Sequence, residues 1–156
     1  MHPLPHYIDL PDLAATERLA ACLAGLARPG DAILLEGPLG AGKTALARAF
    51  LRVAAGDPAL EVPSPTFTLV QEYETRLGMV RHFDLWRLDG PGALAELGWD
   101  EALDGIVLVE WPDRLGGLRP AGALVVTLLP AQGDARLVAL AGWPGRLSHG
   151  WPGRIS

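Results

Sequence analysis

The sequence predicts a single α/β domain with a mixed, largely parallel sheet that is flanked by helices and includes an antiparallel hairpin. A short apolar run at 32–36 precedes a glycine-rich loop and an Ala- and Leu-rich segment, and a second apolar run lies at 106–109. Continuous apolar runs of this length are typical of parallel strands that are buried on both faces. The length of 156 residues is that of one ordinary domain.

The first half of the chain alternates helical and strand signals. Asp12 is placed as the N-cap of a first helix, which ends before Pro29-Gly30-Asp31. The strand at 32–36 follows, and a second helix is predicted over 43–53. Gly56-Asp57-Pro58 ends that helix, because glycine and proline at this spacing interrupt helical structure.

The second half is predicted to complete the sheet. Two prolines make 63–66 a loop, since proline removes a backbone donor and restricts its neighbour. The remaining elements are expected to be a hairpin of strands at 67–73 and 79–85, a helix over 91–103 interrupted at Gly98, the strand at 106–109, and two final strands at 124–129 and 136–140. The domain is therefore predicted to span residues 1–141.

Residues 142–156 are predicted to form a C-terminal tail because they carry a repeat. Gly-Trp-Pro-Gly-Arg-Leu-Ser at 142–148 recurs as Gly-Trp-Pro-Gly-Arg-Ile-Ser at 150–156. Two short copies cannot make a solenoid, which needs at least three larger units. A flexible or surface-packed tail is the simpler interpretation. A partner-docking tail stays open as the alternative, because Trp and Arg are common interface anchors.

Composition limits the compartment and the partners. The formal net charge is −5 and there is no basic run, which disfavours tight, unaided binding to RNA or DNA because phosphate neutralisation supplies most of that affinity. The N-terminus lacks the pattern of a signal peptide, and the uncharged stretch at 120–132 is too short to span a bilayer. We therefore expect a cytoplasmic protein with no membrane and no DNA partner.

The glycine-rich loop carries the clearest chemical signal. Gly37-Pro38-Leu39-Gly40-Ala41-Gly42-Lys43-Thr44 fits the pattern G-x-x-x-x-G-K-[ST] between a strand and a helix. Its glycines let successive N–H groups face phosphate oxygens, and the helix N-terminus adds partial positive charge. Lys43, the only lysine in the chain, would reach the β- and γ-phosphates, and the Thr44 hydroxyl would ligate Mg²⁺. The pattern is expected by chance in roughly one in a thousand sequences of this length and composition. An incidental lysine in a glycine-rich turn is the alternative.

Hydrolysis requires further groups around the γ-phosphate. Thr66 lies where P-loop proteins move a threonine onto the phosphate and the metal, although it could equally cap its own turn. Asp84 near one strand end and Glu110 directly after another both suit a Walker-B-like acid. Their position alone leaves open which acid holds the metal and which aligns water. His82 by itself is better explained as a core histidine with a hydrogen-bond partner.

Taken together, these motifs resemble the TsaE (YjeE) family, the bacterial ATPases of the tRNA threonylcarbamoyladenosine pathway. The resemblance covers about residues 10–140 and rests on four segments in the expected order and spacing, namely Leu39-Gly40-Ala41-Gly42-Lys43-Thr44, Ser64-Pro65-Thr66-Phe67, His82-Phe83-Asp84-Leu85-Trp86-Arg87 and Glu110-Trp111. It implies a P-loop NTPase fold, Mg²⁺-dependent ATP binding and slow intrinsic hydrolysis. It also implies TsaD and TsaB proteins as partners, with tRNA contacted only indirectly through them.

The resemblance assigns a role to each matching residue. The implied catalytic residues are Lys43, Asp84 and Glu110, and the implied metal ligands are Thr44, Thr66, Asp84 and Glu110. The implied nucleotide contacts are Leu39, Gly40, Ala41, Gly42, Lys43, Thr44, Ala45, Thr66 and Trp111. Two positions depart from the family pattern, because Pro38 replaces an acidic residue and Trp86 replaces a tyrosine.

Two other classes of P-loop protein are alternatives to an ATPase of this family. A small kinase acting on a nucleoside or metabolite needs lid arginines, for which Arg114 and Arg119 are candidates, but it leaves the segments around Ser64 and His82 unexplained. A regulatory GTPase needs an Asn-Lys-x-Asp motif to read guanine. The chain contains no asparagine, so that motif is absent in its standard form.

Overall fold

The fold is organised around one seven-stranded sheet. The computed structural model describes residues 6–147, and its strands follow the spatial order β1-β7-β6-β2-β5-β4-β3. In chain order they are β1 (His6–Leu10), β2 (Ala32–Glu36), β3 (Val70–Thr75), β4 (Gly78–Asp84), β5 (Ile106–Glu110), β6 (Leu124–Pro130) and β7 (Arg136–Ala141). The four central strands are parallel, and antiparallel strands flank them on both sides. The predicted mixed sheet and its hairpin are confirmed.

The longer helices follow the local signals in the sequence. Helix α1 spans Leu13–Leu26 and begins where the Ala15 N–H donates to Asp12 Oδ1 at 2.9 Å, as the predicted N-cap requires. Helix α2 spans Lys43–Ala55 and packs against α1. No helix among the described residues has both the length and the apolar character needed to cross a lipid bilayer.

Side chains on the two faces of the sheet fill separate apolar cores. On β2, Ile33 and Leu35 join the core beneath α1 and α2, whereas Leu34 points into the core on the opposite face. In that second core the rings of Phe83 and Trp99 meet edge to face, with centroids 5.1 Å apart. The strand is thus buried on both sides, which is why its sequence is continuously apolar.

Three elements differ from the predicted ones. Strand β1 was not predicted, because this mostly exposed strand depends on pairing with β7 and not on a local apolar pattern. The predicted strand at 67–73 begins only at Val70, since the Leu69 N–H closes a turn by donating to the Pro65 carbonyl at 2.6 Å. The predicted helix over 91–103 is interrupted at Gly98 as expected, where the backbone is left-handed, but its first part is a 3₁₀ helix (Pro91–Leu97) and only α3 (Trp99–Ala102) is an α-helix. A further 3₁₀ segment follows at Pro112–Leu118.

The first copy of the C-terminal repeat packs onto the domain. Trp143 and Leu147 are buried in the core beneath α1 and α2. The Arg146 guanidinium donates to both carboxylate oxygens of Asp31, at 2.6 and 2.9 Å, and to the Leu26 carbonyl at 3.2 Å. The second copy at 150–156 lies outside the described residues, and the boundary at residue 141 stays a prediction.

Candidate nucleotide-binding site

The glycine-rich loop and both candidate acids converge at the carboxyl ends of the parallel strands. The loop follows β2, and Asp84 lies opposite Glu110 in the register between β4 and β5. This edge is where open α/β sheets bind ligands. The groups enclose a cleft of about 310 Å³, which is lined by Leu39, Gly40, Gly42, Lys43, Thr44, Ala45, Ser64, Thr66, Asp84, Glu110 and Trp111.

A second, larger cavity does not compete for the nucleotide. It measures about 380 Å³, lies along α1 and α2, and shares only Ala45 with the cleft. It contains neither the loop lysine nor the acids. The smaller cleft is therefore the candidate phosphate-binding site, because it contains Lys43 and both candidate acids.

Glycine is needed in the loop where the backbone is crowded or has positive φ. At Gly37, with φ of 143°, a Cβ atom would lie 2.3 Å from the Leu128 carbonyl oxygen of β6. Gly42, with φ of 103°, forms the N-cap of α2. These constraints let the loop curl tightly from β2 into α2.

Ala41 is the one predicted site residue that does not line the cleft. It is fully buried, and its N–H donates to the Pro38 carbonyl at 3.1 Å within the loop. Pro38 also lies outside the lining of the cleft. The departure from the family pattern at Pro38 therefore falls on a residue that does not face the ligand space.

The ammonium of Lys43 is held within the loop beneath an aromatic ring. It donates to the Gly37 carbonyl and lies 3.3 Å from the centroid of the Trp111 ring. Burial lowers the pKa of Lys43, and the negative charges of Glu110, Asp84 and, more weakly, Asp113 oppose that shift. Since an ammonium carries three N–H donors, donors remain for phosphate oxygens.

Glu110 joins the loop helix to the centre of the sheet. Its Oε1 accepts a hydrogen bond of 2.8 Å from the Thr44 hydroxyl, and its Oε2 lies 2.7 Å from His82 Nε2. His82 is fully buried, and it donates here because an ionised carboxylate only accepts. The histidine is thus a core residue with a partner, and the partner is a candidate catalytic acid.

Asp84 has different neighbours, although it lies next to Glu110. Its Oδ2 accepts a hydrogen bond of 3.1 Å from the Thr66 hydroxyl, and its Oδ1 accepts one from the Trp86 N–H at 3.1 Å. Thr66 in turn shares a 2.8 Å hydrogen bond with the Ser64 hydroxyl. The loop segment predicted to approach the γ-phosphate therefore contacts this acid.

Trp111 lines the cleft and contacts a second tryptophan, Trp86. Trp111 has a left-handed backbone, with φ of 59°, and its ring centroid lies 4.4 Å from that of Trp86. Trp86, which departs from the family pattern, therefore packs against a cleft residue with its ring tilted by 46°, and its backbone N–H donates to Asp84.

The oxygen atoms at the site suit magnesium. The hydroxyls of Thr44 and Thr66 and the carboxylates of Asp84 and Glu110 lie around one cleft. Mg²⁺ prefers such oxygens, usually one or two carboxylates together with substrate phosphates and waters. Within residues 6–147, no group of three or more His, Cys, Asp or Glu side chains could hold a metal by itself. The donor set therefore fits an ion that arrives with a phosphate ligand.

Sequence reasoning missed two charged residues at the site. Asp113 adds negative charge near Lys43. Arg136, at the start of β7, donates from Nε to the Ala41 carbonyl at 2.8 Å, across 95 positions of sequence. Neither residue belongs to a local motif, so only the fold reveals its proximity to the loop.

Comparisons with known proteins identify the family of the chain. Residues 10–138 match the family described as Threonylcarbamoyl adenosine biosynthesis protein TsaE. Proteins named tRNA threonylcarbamoyladenosine biosynthesis protein TsaE are similar in Rickettsia felis (37% identity over 126 residues, 80% of this chain and 73% of that protein) and in Bacillus subtilis (35% over 123 residues, 78% and 75%). The crystal structure of Bacillus subtilis YdiB superposes with a TM-score of 0.74 at 27% identity, covering 95% of this chain and 93% of that one. The chain therefore belongs to the TsaE family.

Proposed function

We propose that this chain is a Mg²⁺-dependent ATPase that acts in tRNA threonylcarbamoyladenosine biosynthesis together with TsaB and TsaD proteins. The observation that carries the ATPase assignment is the 2.8 Å hydrogen bond between the Thr44 hydroxyl and Glu110, beside the ammonium of Lys43. A hydroxyl at the loop, an acid at a neighbouring strand end and a lysine between them are the parts that P-loop NTPases use. Membership of the TsaE family supports the pathway.

Different residues of the cleft bind the phosphates and hold the metal. The loop N–H groups and Lys43 bind the β- and γ-phosphates. Thr44 and Glu110 would hold Mg²⁺, because the hydroxyl and the carboxylate lie in contact at the cleft and are oxygen ligands of the kind that the ion prefers. When bound, the ion neutralises charge on the phosphate oxygens. His82 keeps the Glu110 carboxylate directed towards the loop.

Asp84 is assigned the other role of an acid, which is to orient the attacking water. Its carboxylate lies at the cleft next to Thr66 and makes no hydrogen bond to the loop helix in the described residues. A carboxylate in this position can accept a proton from water or fix the direction of its attack. Thr66 would bring the loop at 63–69 towards the γ-phosphate.

Surface chemistry supports protein partners in preference to direct tRNA binding. Leu39 lines the cleft, Phe67 directly follows the cleft residue Thr66, and their side chains are 82% and 81% exposed. A protein partner would cover this apolar surface. The net charge of −5 gives no broad attraction for RNA. We therefore assign tRNA contact to the partner proteins and keep the cytoplasmic location as a prediction.

Phosphate release from Mg²⁺–ATP, measured with and without purified TsaB and TsaD proteins, tests this function. The chain alone should hydrolyse ATP slowly, and the partners should accelerate it. Lys43→Ala should abolish turnover in both conditions, because the chain has no other lysine to bind the phosphates. Mg²⁺–ATP at about a hundred times its dissociation constant should also stabilise the wild-type fold by about 2.7 kcal/mol, which raises its melting temperature by roughly 5–11 °C.

The control is the melting temperature of Lys43→Ala without nucleotide, which should stay close to that of the wild type. Full turnover by this folded variant would contradict the assignment of the site. Rapid transfer of phosphate to a metabolite without partners would instead indicate a kinase. The geometry does not favour that alternative, since neither Arg114 nor Arg119 lines the cleft and Arg119 is paired with Glu36 at 2.7 Å.

A further inference from the structure

Arg136 contacts the backbone of the glycine-rich loop from outside the cleft. Its guanidinium donates to the carbonyl oxygens of Ala41 at 2.8 Å and, at the limit of hydrogen bonding, of Gly40 at 3.5 Å. The same group donates to the carbonyls of Gly133 at 3.1 Å and Ala135 at 2.8 Å in the turn between β6 and β7. One side chain thereby connects two segments of backbone that are distant in sequence.

The position of Arg136 relative to the cleft indicates what this connection does. Arg136 lies in a separate crevice of about 160 Å³, which it shares with Ala41, Gly42 and Asp134. Ala41 faces only that crevice, whereas Gly42 lines both the crevice and the cleft. The peptide that joins Ala41 to Gly42 therefore lies between the arginine and the ligand space.

Because a peptide unit is planar, a contact with the carbonyl on one side of the loop also orients the N–H of the same peptide. The carbonyl and the N–H of a trans peptide point in opposite directions, and no peptide among the described residues is cis. When Arg136 holds the Ala41 carbonyl on the crevice side, the N–H of Gly42 in the same peptide is directed to the opposite side. Because Gly42 has no side chain to restrict it, this peptide would otherwise rotate more freely.

We propose that Arg136 is a positioning residue for phosphate binding, which fixes the Ala41–Gly42 peptide so that its N–H faces the phosphates. This inference rests on the proposed function, since it requires that the loop binds a polyphosphate. An arginine suits the role better than a lysine, because its planar fork of five N–H donors can reach several carbonyls at once. A lysine would supply the charge without fixing the peptide.

The test compares affinities for Mg²⁺–ATP and for inorganic tripolyphosphate in Arg136→Gln, Arg136→Lys and the wild-type chain. Tripolyphosphate has no base or sugar, so it reports on the loop alone. We expect Arg136→Gln to weaken both compounds by the same factor, about tenfold to a hundredfold, as for the loss of charge-assisted hydrogen bonds. Arg136→Lys should recover less than half of that loss on a logarithmic scale. Melting temperatures without ligand establish that each variant is folded, and the lysine variant serves if the glutamine variant does not fold.

Arg146→Gln is the matched control. Arg146 also donates its guanidinium N–H groups to a backbone carbonyl, that of Leu26, and to Asp31. These contacts lie at the amino end of β2, away from the loop at its carboxyl end. We expect this variant to melt at a lower temperature and to bind tripolyphosphate with unchanged affinity, which separates a general loss of stability from a loss of loop geometry.

Two results would overturn the role of Arg136. Wild-type affinity in both folded variants would show that the peptide needs no support. Weakened ATP binding with unchanged tripolyphosphate binding would mean that Arg136 contacts the base or sugar directly. Failure of the wild-type chain to bind either compound would contradict the proposed function itself, and that outcome is distinguishable because it does not depend on Arg136.

Discussion

Asp84 and Glu110 occupy equivalent positions on neighbouring parallel strands, yet their surroundings differ. The register places them directly opposite each other at the ends of β4 and β5. Glu110 contacts Thr44 on α2 and His82 within the sheet, so both of its partners belong to regular elements. Asp84 contacts Thr66, which lies in a turn with no helix or strand of its own.

These contacts mean that one acid is fixed by the fold and the other is coupled to a loop. The partners of Glu110 are set when the sheet and α2 form. Asp84 also accepts from the Trp86 N–H, but its hydroxyl partner Thr66 depends on the conformation of the loop at 63–69. Connecting segments of this kind are generally more mobile than the elements they join. These contacts predict that the geometry of the metal site is constant. The geometry of the neighbouring water site depends on the conformation of the loop at 63–69.

Glu110→Gln should give the largest effect that distinguishes the two acids. Glutamine keeps the size of the side chain but removes the negative charge that would hold Mg²⁺. We expect turnover in the presence of partners to fall on the order of a thousandfold. Nucleotide affinity should also lose most of its dependence on Mg²⁺, as measured by titrating the ion at fixed ATP. An unchanged Mg²⁺ dependence would reverse the assignment of the two acids.

Asp84→Asn should reduce turnover by about a hundredfold, within the range for loss of a group that orients or deprotonates water. The affinity for Mg²⁺–ATP should stay within about threefold of the wild-type value, because the phosphate and metal contacts remain. Binding titrations and phosphate release on the same preparation give both quantities. Loss of Mg²⁺-dependent binding in this variant would place the metal on Asp84.

His82→Gln should produce a smaller effect of the same kind as Glu110→Gln. Groups that orient a metal ligand typically contribute tenfold to a hundredfold to metal affinity or activity, and we expect about tenfold here. The change should appear as a higher Mg²⁺ requirement in the phosphate-release assay. His6→Gln is the control, since His6 is exposed on the edge strand β1. Equal effects of the two substitutions would exclude a role for His82 in positioning Glu110.

The parts of the molecule that follow from local sequence were predicted well. The strands at 32–36 and 106–109 are continuously apolar because both of their faces are buried, and this pattern is visible without the fold. The loop at 37–44 combines glycines, Lys43 and Thr44 in a spacing set by phosphate geometry. Acids at strand ends follow from the same argument, and Asp84 and Glu110 line one cleft.

The parts that depend on tertiary contacts were not predicted. Strand β1 has a regular conformation because β7 supplies its hydrogen bonds. Arg136 reaches the loop only because β7 lies near the crevice behind it. Trp143 is a repeat residue in sequence terms, and its burial depends on space left beside α1. The spacing of residues within one segment cannot predict these contacts, because each contact joins segments that are far apart in the chain.

The left-handed backbone of Trp111 lowers the stability of the fold, whereas the ring of this residue covers the ammonium of Lys43. A bulky residue in the left-handed region costs about 1–3 kcal/mol relative to a relaxed conformation, and a glycine at this position would avoid that cost. Glycine, however, would remove the ring that covers the ammonium of Lys43, the only lysine in the chain, and would leave it open to water. The pKa of Lys43 would then return towards its ordinary value, because burial is the main cause of its lowering. The strained backbone thus keeps the Lys43 ammonium shielded from water, where its interactions with charged groups are stronger.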